Sequence, residues 1–167
     1  MAETTLSGLI HGKAAHADPV ACVEDISAEL AARRVSGYPH SIWQLVLHMN
    51  YWMDYDLRSI SGDAAPYPEH ASESWPDHPQ RPNEADWRKT TAQFRELLAQ
   101  LAVVAESDTA ALERITAKIG PGNSRRQCSV RAVLFEIIAH NSYHTGQIAL
   151  LRRQAGAWPP ERGGDTW

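Results

Sequence analysis

Apolar residues return at steps of three and four along most of this chain, the period of helices that bury one face. The stretch from Ser129 to Arg153 shows it best: Val130, Val133, Ile137, His140, His144, Gln147 and Leu151 form one stripe, with Ser129 as the predicted N-cap. A second helix is predicted from Ser41, where Ser41-Ile42-Trp43-Gln44 fits a capping box, to the Ser61-Gly62 stop. Ser41, Leu45, His48, Trp52 and Tyr55 make its stripe. A third opens at Asn83, with Glu84 and Asp86 in its first turn, and buries Trp87, Thr90, Phe94, Leu97, Leu101 and Val104.

The ends of the chain are less regular. Residues 3 to about 16 carry a helical face of Leu6, Leu9, Ile10, Lys13, Ala14 and Ala17. Asp18-Pro19 breaks or restarts it, and Val20, Val23, Ile26 and Leu30 continue the period, so one kinked helix and two pieces both fit. A short helix is predicted over about 109–117, then a loop, Gly120-Pro121-Gly122-Asn123. Trp158 and Trp167 in the tail are expected to pack back on the body.

The pattern therefore predicts an all-α fold, a four-helix bundle in one domain over 1–167. Between the second and third helices lies segment 62–82, with Pro66, Pro68, Pro76, Pro79 and Pro82, which excludes helix and central strand. An extended chain reaches ~3.3 Å per residue, and a helix of about 20 residues spans only ~30 Å. The segment is long enough to cross the bundle and leave the two helices parallel.

Composition narrows the class. The formal charge is −4 and the basic residues are not clustered, which disfavours a nucleic-acid partner or an anionic membrane surface. The pairs Arg125-Arg126 and Arg152-Arg153 read as solvated faces. No signal peptide or membrane-length apolar run is seen. Cys22 and Cys128 lack metal or redox spacing and read as free thiols, so a cytoplasmic location is expected.

The candidate chemistry lies in histidines on buried stripes. His140 and His144 are one turn apart on one helix face, and His48 points inward from the second helix. Buried imidazoles need partners for both ring nitrogens, so packed core residues and ligands of a shared ion are the two readings. The pair is not the HExxH of a zinc protease, since Asn141 occupies the Glu position. His11, His16, His40, His70 and His78 fall on loops or outer faces, His40 next to the second helix cap. Gln44, Glu136 and Gln147 lie one turn from the three histidines and are candidate acceptors for their ring N–H groups. Tyr51, Trp52 and Tyr143 are placed to line a substrate mouth or to pack in the core. Gly146, costly in mid-helix, suggests a close helix crossing. Ser142 and Tyr143 have no evident base, and there is no phosphate-binding glycine loop.

The second-helix sequence SIWQLVLHMNYW, followed roughly ninety residues later by HNSYHTGQIALLRR, resembles the DinB/YfiT-like superfamily over nearly the whole chain. The resemblance implies an up-down-down-up four-helix bundle and a divalent metal ion, zinc or nickel, on His48, His140 and His144. It implies a thiol-dependent transferase using a low-molecular-weight thiol other than glutathione, or a metal-dependent hydrolase, acting on a small molecule. Transfer is favoured on the family resemblance alone. A non-catalytic, stress-associated metal-binding protein is the alternative. Members often form homodimers, so a homodimer is expected. Chemically, three neutral imidazoles leave Zn²⁺ its full charge and an open position. A water there is acidified towards pKa ~7, and a thiol there ionises.

Overall fold

The computed structural model describes residues 5–13 and 15–162. The elements are α1 (Leu6–Ile10), α2 (Ala21–Glu24), α3 (Ala28–Ala32), α4 (Ile42–Ser61), a 3₁₀ turn (Ala71–Ser74), α5 (Glu84–Ala105), α6 (Thr109–Glu113), β1 (Ile115–Gly120), a 3₁₀ turn (Pro121–Asn123), β2 (Ser124–Ser129) and α7 (Val130–Gln154). The chain is mostly helical, with one small antiparallel sheet.

The three long helices start where their caps are. At α4, Ser41 Oγ accepts the Gln44 N–H and Gln44 Oε1 accepts the Ser41 N–H, so both halves of the capping box form. Asn83 Oδ1 accepts the Asp86 N–H at α5, and Ser129 Oγ the Ala132 N–H at α7. Each such cap stabilises its helix by about 1 kcal/mol. Gly62, at φ 91°, ends α4 in the left-handed conformation.

Two parts of the chain depart from the predicted pattern, and the second departs from its all-α class as well. The N-terminal run, read as one kinked helix or two pieces parted at Asp18-Pro19, is three short helices. Gly12 stops α1 at φ +72°, where an added Cβ would lie 2.7 and 2.8 Å from the carbonyls of His16 and Ala17. Asp18 Oδ1 then takes the Val20 N–H, and Ser27 Oγ the Leu30 N–H, restarting the chain twice. Residues 3, 4 and 14 of that prediction lie outside the described residues, as does Trp167. The predicted helix over about 109–117 ends at Glu113 and gives way to a hairpin. Ile115 pairs with Ser129 and Gly120 with Ser124. Gly122 and Asn123, at φ 65° and 55°, supply the two positive φ values that a tight hairpin turn requires.

Helix directions follow from contacts. Trp43 packs on Trp87 and donates its indole N–H to Thr90 Oγ1, while Ile60 and Ser61 share a surface groove with Val103 and Val104. Thus α4 and α5 run in the same direction, and the Pro-rich segment returns the chain along their length. Helix α7 runs against α4: His48 meets His140 and His144, and Asp56 meets Glu136 through Lys118. Between them lies a core centred on Trp43, Met49, Met53, Phe94, Leu134 and Ile137.

The hairpin is fastened to this frame. Tyr55 donates its hydroxyl to the Ile119 carbonyl at 2.6 Å, and Lys118 bonds Asp56 at 2.6 Å and Glu136 at 2.9 Å. Arg152, expected on a solvated face, is 2% exposed. It bonds both carboxylate oxygens of Asp25 and the carbonyls of Cys22 and Ala157, joining α2 to the chain beyond α7. Trp158 packs against the core beside Arg153. Cys22 and Cys128 are both unpaired thiols. No helix of the described residues is long and apolar enough to cross a membrane.

Candidate metal centre

The antiparallel contact of α4 and α7 brings His48 against the His140–His144 pair. Ring centroids are 5.1 Å apart for His48 and His140, 4.9 Å for His48 and His144, and 4.5 Å for His140 and His144. One ring nitrogen from each lies within 4.8 Å of the others. Among the described residues this is the one cluster of three or more His, Cys, Asp or Glu side chains whose ligand atoms converge this way. His48 and His144 are buried and His140 is half-buried.

Hydrogen bonds decide which nitrogen each ring has free. The Ser74 carbonyl can only accept, so His48 Nδ1–H donates a hydrogen bond to it at 2.6 Å. Gln147 Oε1 accepts from His144 Nδ1 at 2.6 Å, and Gln147 Nε2 in turn donates to the Tyr143 hydroxyl at 3.2 Å. Asn141 Oδ1 lies 3.3 Å from His140 Nδ1. With Nδ1 protonated, Nε2 of each neutral ring carries a lone pair.

Burial keeps the rings neutral. It pushes His48 down to about 4, with the neighbouring imidazoles adding to the effect against the Ser74 bond. Burial, then His144, pushes His140 down to about 4, and burial lowers His144. His48 Nε2 and His140 Nε2 face each other at 3.2 Å. With both Nδ1 atoms protonated, two lone pairs oppose each other there, an unfavourable contact that a cation resolves. Nitrogen ligands at ~2.0–2.1 Å around a tetrahedral ion stand at about this separation, so the donor set suits a divalent metal.

The ring partners differ in part from those that helix spacing suggested. Gln147 has the expected role. Gln44 does not: its Oε1 caps α4 and its Nε2 bonds Asp77. Nor does Glu136, whose oxygens are taken by Lys118 and Arg126. Burial raises the Glu136 pKa, but those two bonds outweigh it and leave the carboxyl below its usual range. Ser74 and Trp75 of the crossover, and Asn141, are the groups sequence reasoning missed. A carbonyl acceptor leaves no signature, but the Trp in the Pro-rich segment was a visible signal.

Other candidates scatter. Trp52 packs edge-on near His48 and His140. Tyr143 stands exposed beside His144. Tyr51 lines a separate groove of about 530 Å³ under the crossover, whose walls do not include the three imidazoles. Gly146 is exposed, and a Cβ there would meet nothing within 4 Å, so no close helix crossing explains it. Ser142 does have a base: its hydroxyl donates to His16 Nε2 at 2.8 Å, while His16 Nδ1 donates to the Ala17 carbonyl at 2.8 Å. The adjoining cavity of about 10 Å³, walled by Leu9, Ile10 and Ile137, has no room for a substrate. This pair fastens the N-terminal segment to α7.

A family model described as Mycothiol-S-transferase matches residues 13–156, a span that contains all three histidines. The chain belongs to this family, which is part of the DinB/YfiT-like metal-dependent superfamily. No curated protein and no solved structure matches it.

Proposed function

We propose that this member of the mycothiol S-transferase family is a divalent-metal-dependent transferase that activates a low-molecular-weight thiol, mycothiol, at His48, His140 and His144. The observation that carries the reading is the convergence of three neutral imidazoles, Nε2 inward, in a family whose chemistry is thiol transfer. Bound there, a zinc or nickel ion supplies the positive charge that ionises a thiol at an open position. The protein supplies the rest. Ser74, Asn141 and Gln147 hold the three Nδ1 protons and so fix the tautomer that presents Nε2. Burial keeps all three rings uncharged, so they add nothing to the charge offered to the thiol. Trp52 and Trp75 cover His48 and limit water there. The family match favours transfer over hydrolysis.

The same reading treats the chain as one domain. In it α4, α5, α7 and the broken run α1–α3 correspond to an up-down-down-up four-helix bundle, supported by the packing of α1 on α5 and α7 and of α3 on α4 and α5. Two free thiols agree with a cytoplasmic location. The test is reconstitution of metal-free protein with Zn²⁺ or Ni²⁺, elemental analysis, and an assay of mycothiol conjugation to an electrophilic fluorogenic probe. One equivalent of metal is expected, with conjugation that chelator and His144→Ala both abolish. Negligible metal uptake overturns the metal reading, and metal uptake without mycothiol conjugation overturns the choice of thiol.

A further inference from the structure

The crossover does more than return the chain. Its 3₁₀ turn aims the Ser74 carbonyl at His48 Nδ1, and the next residue, Trp75, lies flat on the same imidazole. The Trp75 and His48 ring centroids are 3.6 Å apart with planes 8° from parallel. His40, next to the α4 N-cap, stacks on Trp75 at 3.8 Å and 8°. Two parallel rings at such distances from one indole must occupy its opposite faces. Trp75 is thus the middle of a column whose outer member is one of the three converging imidazoles.

The hydrogen bond to Ser74 holds one edge of the His48 ring but leaves it free to tilt about that edge. A flat stack removes the tilt. His140 and His144 take their Nδ1 acceptors from their own helix, at Asn141 and Gln147. His48 alone is aimed by a distant segment. We propose that Trp75 is a positioning residue for the metal, holding the His48 plane so that Nε2 points at the ion, and that metal occupancy and crossover order are coupled through this stack. An imidazole bound to a divalent cation is electron-poor and is drawn more strongly to the face of an indole. The stack is then tighter in the loaded state, and by reciprocity Trp75 strengthens metal binding as much as metal strengthens the stack. The inference rests on the metal reading of the previous subsection.

The test compares metal-free wild type, Trp75→Ala, Trp75→Phe and His78→Ala. The last loosens the crossover where it stacks on Trp43, away from His48. Each is titrated with Zn²⁺ against a chromophoric chelator, and with Co²⁺ to record its ligand-field spectrum. The expected result is a ~10–100-fold loss of Zn²⁺ affinity in Trp75→Ala, the range for outer groups that orient a ligand. Its Co²⁺ bands should be altered, Trp75→Phe should recover most of the affinity, and His78→Ala should match wild type. A Trp75→Ala affinity equal to that of wild type, or equal losses in Trp75→Ala and His78→Ala, overturns the proposal. If Trp75→Ala does not fold, tryptophan fluorescence decides. Zn²⁺ should change the wild-type emission, and most of that change should vanish in Trp75→Phe; a full response in Trp75→Phe overturns the proposal. Wild type that binds no Zn²⁺ overturns the metal reading and this inference together. Wild-type binding with no effect at Trp75 overturns this inference alone.

Discussion

Deleting His48 and His144 singly, each melted with and without chelator, distinguishes a metal centre from a packed core, and the two deletions should differ. An ion present at about 1,000 times its Kd stabilises the native state by ~4 kcal/mol. For a domain of 150–250 residues each kcal/mol moves Tm by about 2–4 °C, so chelation should lower the wild-type Tm by roughly 8–16 °C. Both variants lack a ligand, and chelator should leave them unchanged. Their metal-free stabilities separate them further. His48→Ala strips the buried Ser74 carbonyl of its donor and Trp75 of its stacking partner. An unpaired buried acceptor costs about 1–3 kcal/mol, with a cavity cost added. His144→Ala releases Gln147, which is half-buried and can turn to water. It also removes one of three crowded lone pairs. Metal-free stability should therefore fall in the order wild type, His144→Ala, His48→Ala, by thermal melting followed with circular dichroism. A wild-type melt indifferent to chelator, with variants that lose the same stability in both conditions, would refute the metal reading.

Gln147→Ala should weaken metal binding ~10–100-fold by freeing the His144 tautomer, whereas Gln44→Ala and Glu136→Ala should leave it unchanged in calorimetric titration. Asp25→Ala leaves the Arg152 guanidinium, 2% exposed, without its carboxylate. The cost should be about 3 kcal/mol in urea unfolding, the low end for a broken buried pair, because three carbonyls stay with the guanidinium. Burial raises the Asp25 pKa, but the bonds from Arg152 and the Glu161 N–H outweigh it, and the folded value lies below the unfolded one. Its contribution is therefore full above about pH 4 and lost as pH falls through the depressed folded value. The stability gap between wild type and Asp25→Asn should close over that acid range. Phe135, Tyr143 and Leu150 are exposed on one face of α7, and a homodimer through that face is expected. Light scattering should give twice the 18.6 kDa chain mass, and Leu150→Arg should give the monomer.

The legible part of the sequence was the part that repeats or caps. The stripes of α4, α5 and α7 and the polar residues Ser41, Asn83 and Ser129 placed three helices within a residue or two of their observed ends. His48, His140 and His144 were readable because histidine on an apolar stripe is out of place. The hairpin was not readable: β2, Ser-Arg-Arg-Gln-Cys-Ser, has no apolar alternation, and its pairing depends on positive φ at Gly122 and Asn123. That omission hid another. Lys118 and Arg126, carried by the hairpin, occupy the Glu136 that helix spacing had offered to His140. Before Asp18 the helical period holds for Leu6–Ile10 alone, because periodicity carries no information about the backbone at Gly12. The burial of Arg152 depends on a partner, Asp25, at the end of an element too short to announce itself.

The crossover also sets a clock. His48 and His140 are 92 positions apart, whereas Ser74 and Trp75, which hold His48, precede α5. At synthesis rates of ~5–20 residues per second, roughly 5–20 s separate the emergence of the first histidine from that of the second. During that interval the crossover can close a short loop onto α4, while the contact with α7 must wait for a much longer one. The half of the site on α4 is therefore expected to be aimed before the other half has been made. In refolding with a metal-sensitive dye present, Zn²⁺ uptake should follow the slowest protein phase and never precede it. On the metal reading, the ion would then be the last component to arrive, sealing the folded chain instead of nucleating it.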